Sequence, residues 1–483
     1  MVSAYGLAQR LARNGRGFRR HLAELEKSQW YSEAEFLELQ REKLSRLVKH
    51  AYDRVPYYRT VMKERGLTPD DIRDPSDLQK LPFLTKEIVR TRYAELVSED
   101  ADRRRPRRSA SSGTTGTPLV TLRDQNSIEF EQASLWRHWG IGGLPLFGRR
   151  ASLRGHPVVP PNQTTPPFWR RNLAENQLVM SGFHLSFDAG PSFAAAIQDF
   201  GARAVEALPA SAYFLAESML AHGVRLDLDL VLTGSEPIYP MHREVMERAF
   251  GCKVFDFYGI SERVAFGMEC DRHTGLHMAP EYGIVEFVDP RFQHEEGIRE
   301  VVGTGLNNYA MPLIRYRTED FTRPVDLECP CGRKMPLVAP FETRVTGMLV
   351  TPNGRVMAYA LVNYAFMGLE NIRKSQIVQE SPEDVVVRIV AGGEFSDTDR
   401  RSVIERLEQL MGEGTHVDVE LVDDIPREPS GKYRWIVSKV NPIDAEPDGT
   451  GTGSTGTGAI RTGTAGTDVN GRGNAGGGRS RDE

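Results

Sequence analysis

Short apolar runs of strand length alternate with helical stretches in the middle of this 483-residue chain, and this alternation most limits the folds available to it. The runs are Ala204–Leu208, Leu230–Thr233 and Val254–Phe257, and Met241–Ala249 between the last two has helical spacing. Alternating strands and helices are typical of layered α/β domains. We therefore expect an α/β fold over about residues 110–340.

The pattern changes in the last quarter of the chain. Gln376–Glu380, Val385–Val390 and Val417–Val422 have strand character, and Asp397–Met411 predicts a helix with one apolar face. The apolar face consists of Val403, Leu407 and Leu410. These patterns predict a small α+β unit.

Three regions follow from these changes. We expect a large N-terminal domain over 1–345, a small mobile C-terminal lid over 346–442 and a tail over 443–483. The tail has 12 glycines after residue 448 and few large apolar side chains, so it cannot bury enough surface to offset the entropy of ordering. We expect it to be disordered.

Composition excludes several classes of protein. The net charge is −5, from 61 basic and 66 acidic residues, which is too balanced for a dedicated nucleic-acid binder. No apolar run is long enough to span a membrane, and the N-terminus lacks the apolar core of a secretory signal. Four cysteines make no disulfide framework. We expect a cytoplasmic protein without nucleic-acid or membrane partners.

The strongest local signal is the segment Ser109–Leu119, with the sequence SASSGTTGTPL. Its first nine residues contain six hydroxyl side chains and two glycines. Glycines let backbone N–H groups turn toward an anion, and hydroxyls add further donors. No lysine follows the second glycine, so the segment is not a P-loop of the Walker type. It predicts a loop that binds phosphate groups.

Three of the four cysteines, Cys270, Cys329 and Cys331, predict a metal site together with a histidine. The Cys-x-Cys pair brings two thiolates close together, and both His273 and His277 follow Cys270. Three sulfurs and one imidazole make a closed tetrahedral zinc site, which is structural rather than catalytic. The residues alone leave the choice of histidine open.

Five motifs, in order and spread over about 325 residues, resemble those of the adenylate-forming superfamily, which includes acyl- and aryl-CoA ligases. The phosphate loop is the first of them. The motifs are Ser109–Pro118, Gly234–Pro237, Asp256–Glu262, Arg315–Asp320 and Pro426–Arg434. The resemblance covers roughly residues 40–440.

Within that superfamily, further segments resemble the phenylacetate-CoA ligase and CapK-like branch. These segments are His50–Tyr58, Leu81–Lys86, Gly275–His277, Pro312–Arg317 and Cys329–Arg333. The match at Gly275-Leu-His277 favours His277 over His273 as the fourth zinc ligand.

The resemblance implies an adenylation domain with a lid and a two-step reaction. A carboxylic acid, with an aryl or similar group, attacks the α-phosphate of ATP to give acyl-AMP and pyrophosphate, and a thiol then takes the acyl group. Coenzyme A is the expected acceptor. Transfer to an amine, a hydroxyl or a carrier-protein thiol in a polysaccharide or natural-product pathway is the alternative, as is a nucleotide-binding scaffold without turnover. A homodimer is possible.

The resemblance also implies roles for individual residues. Lys432 would bridge the substrate carboxylate and the α-phosphate, Glu262 would bind Mg²⁺, and Ser261 would donate to the α-phosphate. Tyr258 would stack on adenine, and Asp320 would accept hydrogen bonds from the ribose of ATP or AMP. The remaining implied nucleotide contacts are Ser112, Gly113, Thr114, Thr115, Gly116, Ser235, Glu236, Pro237, Asp256, Gly259 and Arg344.

The acid pocket is expected near Ala207–Phe214, Ser235 and Phe257–Ile260. Three departures from the superfamily pattern accompany these matches. At the hinge between the two domains, Thr346 and Gly347 stand where acidic residues are usual. Glu319 replaces the usual glycine beside Asp320, and the phosphate loop lacks the lysine that many ligases carry.

Overall fold

The computed structural model describes the greater part of the chain. The described residues are 2–110, 119–154, 158–160, 162–291, 296–341, 348–353, 356–358, 363–366, 369, 371–428 and 432–440. All of them belong to one compact unit, Met1–Glu446. The predicted phosphate-loop residues 112–116, Arg344, and the predicted tail from residue 443 lie outside the described residues.

The helices form two groups along the chain. The first group precedes the first strand, and the second alternates with the strands. The α-helices are α1 (Val2–Arg13), α2 (Arg16–Ser28), α3 (Glu33–Arg54), α4 (Pro56–Glu64), α5 (Lys86–Thr91), α6 (Tyr93–Leu96), α7 (Gln125–Ile141), α8 (Gly190–Phe200), α9 (Pro209–Ala221), α10 (Pro240–Phe250) and α11 (Asp397–Met411). Short 3₁₀ turns cover Pro69–Asp71, Pro75–Lys80, Ala101–Arg104, Leu173–Glu175, Gly182–His184, Phe187–Ala189 and Asn363–Phe366.

The strands follow from residue 107 onward. They are β1 (Arg107–Ala110), β2 (Val120–Arg123), β3 (Arg150–Leu153), β4 (Trp169–Asn172), β5 (Gln177–Met180), β6 (Ala204–Ala207), β7 (Leu230–Gly234), β8 (Lys253–Gly259), β9 (Phe266–Glu269), β10 (Leu276–Met278), β11 (Gly283–Val288), β12 (Arg299–Gly305), β13 (Tyr316–Thr322), β14 (Pro324–Val325), β15 (Leu337–Val338), β16 (Met348–Val350), β17 (Val356–Ala358), β18 (Ile372–Gln379), β19 (Asp384–Ala391), β20 (His416–Leu421) and β21 (Ile436–Ser438).

The main sheet has ten strands in the order β14-β15-β10-β9-β8-β7-β6-β3-β5-β4. Its centre, from β8 to β5, is parallel, and its flanking strands run antiparallel. The parallel strands are joined through helices α8, α9 and α10, as βαβ units require. The carboxyl ends of these strands therefore meet at one edge, which is where open α/β sheets bind ligands.

Helices cover both faces of this sheet because its central strands are apolar on both sides. Val205 and Val231 pack with Phe193 of α8 and Leu215 of α9 on one face. On the other face, Ala204, Leu230 and Phe255 pack with side chains of α2 and α7. The predicted α/β class is therefore confirmed, with a core on each side of the sheet.

Local sequence signals set the helix ends. Ser32 caps α3 in a capping box with Glu35, and α3 ends at Arg54, directly before the Val55-Pro56 step. Ser396 caps α11 in the same way, and its observed bounds are those predicted from the apolar face. None of the helices among the described residues is long and apolar enough to cross a membrane.

The smaller C-terminal sheet has four strands in the order β20-β19-β18-β21, with α11 packed on it. Its core includes Val387, Val403 and Ile436, together with Tyr239 from the large sheet region. The three strands predicted here are present as β18, β19 and β20. The division of the chain at residue 345 remains a prediction, because residues 342–347 lie outside the described residues.

Candidate active site and metal centre

The predicted nucleotide residues begin at the carboxyl end of β7. Gly234 ends this strand so close to Phe257 of β8 that an added Cβ would lie 2.4 Å from the ring, so only glycine fits there. Ser235 follows with a φ of +74°, a left-handed conformation that a non-glycine side chain rarely adopts. Such strain is typical of functional turns.

Glu236 ties this turn to two other segments. Its carboxylate accepts a hydrogen bond from the N–H of Ala210 at the start of α9 (3.1 Å) and from the N–H of Tyr433 (3.2 Å). Burial raises the pKa of Glu236, and the two N–H donors and the charges of Lys432 and Arg427 partly offset this effect. The turn that carries the predicted nucleotide contacts Ser235 and Glu236 is therefore bound to the C-terminal segment that contains Lys432.

Further contacts hold the C-terminal segment in place. Arg427 donates to the hydroxyl of Ser211 (3.0 Å), and Ile425 and Tyr433 pack against Ala210 and Phe214 of α9. Lys432 thus lies beside the segment Ala207–Phe214 that was predicted to line the acid pocket.

Asp256 lies within β8, buried beneath the same edge. The Thr233 hydroxyl donates to its carboxylate (2.6 Å), and Glu269 Oε2 accepts a hydrogen bond from its backbone N–H (2.8 Å). Burial and the neighbouring Glu269 carboxylate raise the pKa of Asp256 above its usual range. Its contacts are thus with neighbouring strands, which suits a supporting role behind the nucleotide site.

Tyr258 and Asp320 form a unit at the end of β8. The Tyr258 hydroxyl donates to Asp320 Oδ2 at 2.8 Å. The rings of Tyr258 and Phe341 are parallel within 4° and their centroids are 3.4 Å apart, so one ring face of Tyr258 is covered. An adenine would therefore use the opposite face. Phe341 was not identified from the sequence.

Glu262 has a buried carboxylate oxygen without a hydrogen-bond partner among the described residues, as expected for a cation ligand. It is 7% exposed, and its Oε1 accepts a hydrogen bond from the Tyr316 hydroxyl (3.0 Å). Its Oε2 is buried and has no hydrogen-bond partner among the described residues. A buried carboxylate oxygen without a donor is costly unless a cation or ligand satisfies it. The residue therefore fits the predicted role of Mg²⁺ ligand.

Arg123 is a cationic neighbour of this site that sequence reasoning missed. It ends β2, the strand that follows the predicted phosphate loop and pairs with β1. Its guanidinium donates to the backbone oxygen of Ser261, and its Nε is buried without a partner among the described residues. Burial and the charge of Arg263 lower the pKa of Arg123 to about 10, and the charge of Glu262 acts in the opposite direction.

The predicted zinc ligands come together where β9, β10 and the segment before β15 meet. The ligand atoms of Cys270, His277, Cys329 and Cys331 all lie within 4.8 Å of one another. Cys270 Sγ and Cys329 Sγ are 3.6 Å apart, and Cys331 Sγ and His277 Nε2 are 3.4 Å apart. A tetrahedral zinc with Zn–S bonds of about 2.3 Å needs S–S edges of about 3.8 Å. The four side chains therefore fit a closed zinc site.

His273, the alternative ligand, lies elsewhere. Its Nδ1 is 3.4 Å from Glu269 Oε2, and its ring packs on Phe255. Cys252, the remaining cysteine, is outside the cluster and packs at the edge of the core below β7 and β8. The geometry therefore favours His277.

The fold and the site together define an adenylate-forming enzyme. A sequence model of the CapK C-terminal domain matches residues 349–439. A phenylacetate-coenzyme A ligase of Thermus thermophilus is 31% identical over 340 residues, which cover 65% of this chain and 71% of that protein. The chain therefore belongs to the phenylacetate-CoA ligase family.

Two further comparisons cover more of the chain. Protein CapK of Staphylococcus aureus is 22% identical over 415 residues, or 84% of this chain and 90% of that protein. A crystal structure of 2-hydroxyisobutyryl-CoA ligase in the postadenylation state superposes with a TM-score of 0.66 over 86% of this chain and 92% of that chain, at 18% identity. This likeness shows that the shared fold includes the ten-stranded sheet and the C-terminal four-stranded sheet.

Proposed function

We propose that this protein activates a carboxylic acid with ATP and transfers the acyl group to coenzyme A. The observation that carries the proposal is the contact between the Tyr433 N–H and Glu236, because it brings Lys432 to the turn that follows β7. The family relationship supports the same chemistry. The acid is proposed to carry an aryl or similar apolar group.

In the first step, a carboxylate oxygen attacks the α-phosphate and pyrophosphate leaves. Lys432 is proposed to neutralise the two anions, carboxylate and α-phosphate, that must approach each other, which lowers the barrier to their reaction. Ser261 would donate to the α-phosphate. The residues between β1 and β2 would bind the β- and γ-phosphates, with Arg123 supplying the positive charge that the loop itself lacks.

Mg²⁺, when bound at Glu262 Oε2, would neutralise phosphate charge and so favour departure of pyrophosphate. Tyr258 and Asp320 would bind the nucleoside through ring stacking and the ribose hydroxyls. Their mutual hydrogen bond fixes the two contacts relative to each other, which is the preorganisation that catalysis by positioning requires. In the second step the CoA thiol displaces AMP from the acyl-adenylate.

We further propose that Cys270, His277, Cys329 and Cys331 bind a structural zinc. The cluster closes the end of the sheet at which β10 pairs with β15. Four protein ligands leave no position for substrate, which supports a role in stability rather than in the reaction.

Pyrophosphate exchange into ATP over a panel of carboxylic acids tests the first step. We expect exchange with at least one acid. The exchange rate should fall by about 100-fold or more in Lys432→Ala. Lys439→Ala is the matched control, because Lys439 is an exposed lysine of the same segment that pairs with Glu380. ATP binding without exchange for every acid would instead indicate a nucleotide-binding scaffold.

The acceptor is a separate question, since protein CapK matches over more of the chain than the ligases do. Transfer to an amine, a hydroxyl or a carrier-protein thiol is therefore the second candidate. Once an acid is found, supplying CoA, free amines, polyols and a phosphopantetheinylated carrier separately distinguishes the two. Formation of acyl-CoA alone supports the main proposal.

A further inference from the structure

Arg154 lies at the edge of the sheet that carries the proposed acid pocket. It directly follows β3, whose last residue, Leu153, pairs with Ala207 of β6 in parallel register. The carboxyl ends of β3, β6 and β7 therefore lie side by side. This edge is also where Ser235 begins the turn that reaches the Lys432 segment. No motif in the sequence pointed to Arg154.

The guanidinium of Arg154 is held by two contacts from distant segments. Nη1 donates to Glu206 Oε1 at 2.9 Å, and Nη2 donates to Ser235 Oγ at 3.2 Å. A guanidinium has five N–H donors in a fixed planar fork, so these contacts orient it without using all of them. The side chain is 23% exposed, so it is accessible at this edge of the sheet and yet largely enclosed.

Glu206 is shared between two arginines, which leaves Arg154 only partly neutralised. Its second oxygen accepts a hydrogen bond from Nε of Arg150 (3.3 Å). Burial alone would raise the pKa of Glu206, but Arg154 and Arg150 hold it below the usual range, so the carboxylate is ionised. Glu206 thus positions Arg154 from behind, and the guanidinium retains the capacity to bind a further acceptor.

The strained turn links Arg154 to the reacting centre. Ser235, which accepts from Arg154, is followed by Glu236, which binds the segment that carries Lys432. One side chain of this turn, Ser235, therefore contacts the arginine that directly follows β3, and the next, Glu236, contacts the C-terminal segment. An acid whose reacting carboxylate meets Lys432 would extend its other end along this edge.

Resting on the function proposed above, we infer that Arg154 selects acids that carry a second acidic group, remote from the carboxylate under activation. A second carboxylate would receive two parallel N–H donors from the guanidinium. A plain phenyl or alkyl acid would cover the guanidinium without giving it an acceptor, which is unfavourable. Sites built to hydrogen-bond a substrate group discriminate strongly against analogues that lack it.

The test uses pyrophosphate exchange with matched pairs of acids, such as an arylacetic acid and the same acid with a carboxylate on the far side of the ring. In the unaltered protein, kcat/KM for the second acid is expected to be at least about tenfold higher. Arg154→Met should abolish this preference, and Arg154→Lys should restore part of it. Arg203→Met is the control, because Arg203 precedes β6 at the opposite edge of the sheet and pairs with Asp229.

Three results would overturn the inference while leaving the proposed function intact. These are exchange that favours the unsubstituted acid, an equal loss for both acids in Arg154→Met, and weakened ATP binding in Arg154→Met with unchanged acid preference. The last would assign the guanidinium to the nucleotide. Absence of exchange with every acid would contradict the proposed function itself. Failure of the proposed function is thereby distinguished from failure of the inference about Arg154, in which exchange still occurs.

Discussion

Tyr258 donates a hydrogen bond of 2.8 Å to Oδ2 of Asp320, so the two residues proposed to bind the nucleoside are directly connected. They are 62 positions apart in the chain, on β8 and β13. Phe341 covers one face of the Tyr258 ring and fixes its plane. The proposed nucleoside site is therefore preorganised by contacts between its own residues.

Tyr258→Phe should weaken ATP binding. The change keeps the ring but removes the donor to the buried Asp320 carboxylate, and a lost hydrogen bond to a charged group is worth about 1.5–3 kcal/mol. We expect KM for ATP to rise roughly tenfold or more, measured by pyrophosphate exchange. Tyr93→Phe, in α6, is the control. An unchanged KM in Tyr258→Phe would mean that the hydroxyl does not position the ribose contact.

Glu262→Gln tests the cation site. Glutamine keeps the shape and a carbonyl oxygen for the Tyr316 hydroxyl, but it replaces the second oxygen with an uncharged amide NH2 group that cannot bind a cation. We expect the Mg²⁺ concentration for half-maximal exchange to rise and the maximal rate to fall about 100-fold. Glu244→Gln, on the exposed side of α10, should leave both unchanged. Normal Mg²⁺ dependence in Glu262→Gln would exclude the proposed ligand.

Arg123→Met tests the proposed contact with the terminal phosphates. The change removes the cation that follows the phosphate loop, so KM for ATP should rise about tenfold or more. AMP has no β- or γ-phosphate, and its affinity, measured by calorimetry, should not change. Arg107→Met is the matched control, since Arg107 is exposed and lies opposite Arg123 on β1. Equal weakening of ATP binding and AMP binding in Arg123→Met would contradict this role.

Local patterns predicted much of the fold, and tertiary pairing accounts for the differences. The helix Asp397–Met411 has the predicted bounds because its cap and apolar face lie within it. The strand predicted over Val254–Phe257 extends to Gly259, because Tyr258 and Gly259 pair with β9. Such pairing depends on residues elsewhere in the chain, which periodicity cannot detect.

The site shows the same distinction. Contiguous motifs predicted site roles for Glu236, Glu262 and Lys432, whereas Arg123 and Arg154 belong to no motif. Their partners, Ser261 and Ser235, are 138 and 81 positions away. The only local signal was an arginine at or just beyond the end of a strand. Residues of this kind are found only when the fold brings distant segments together.

Zinc analysis should give one zinc ion per chain. Cys331→Ser should lose the metal and lower the melting temperature, because closed zinc sites contribute directly to folding stability. Cys252→Ser, outside the cluster, should keep the metal. Zinc retained by Cys331→Ser, or none in the unaltered protein, would contradict the proposal. Since no substrate position is open, residual folded Cys331→Ser should still catalyse exchange.

Glu217 predicts a pH dependence of stability. It lies on α9, beside a cavity of about 350 Å³ that also contacts Arg373, Lys374 and Asp424. Burial raises the pKa of Glu217 to about 7 from 4.5, although the Tyr213 hydroxyl and the two nearby cations act in the opposite direction.

The sign of the effect follows from proton linkage. Between pH 4.5 and 7 the unfolded chain ionises at Glu217 before the folded chain does, so the folded state binds more protons and its stability falls as pH rises. This decrease in the free energy of unfolding is complete above the pKa of Glu217 in the folded state, and it amounts to at most about 3 kcal/mol.

Glu217→Gln should remove this part of the pH dependence, because the amide does not titrate. Denaturant unfolding between pH 5 and 8 should therefore show a flatter profile and greater relative stability at pH 8 in the variant. Glu244→Gln, exposed on α10, should retain the slope of the unaltered protein. A parallel decline in Glu217→Gln would contradict the raised pKa, because the carboxyl would then bind protons equally in the folded and unfolded chains over this pH range.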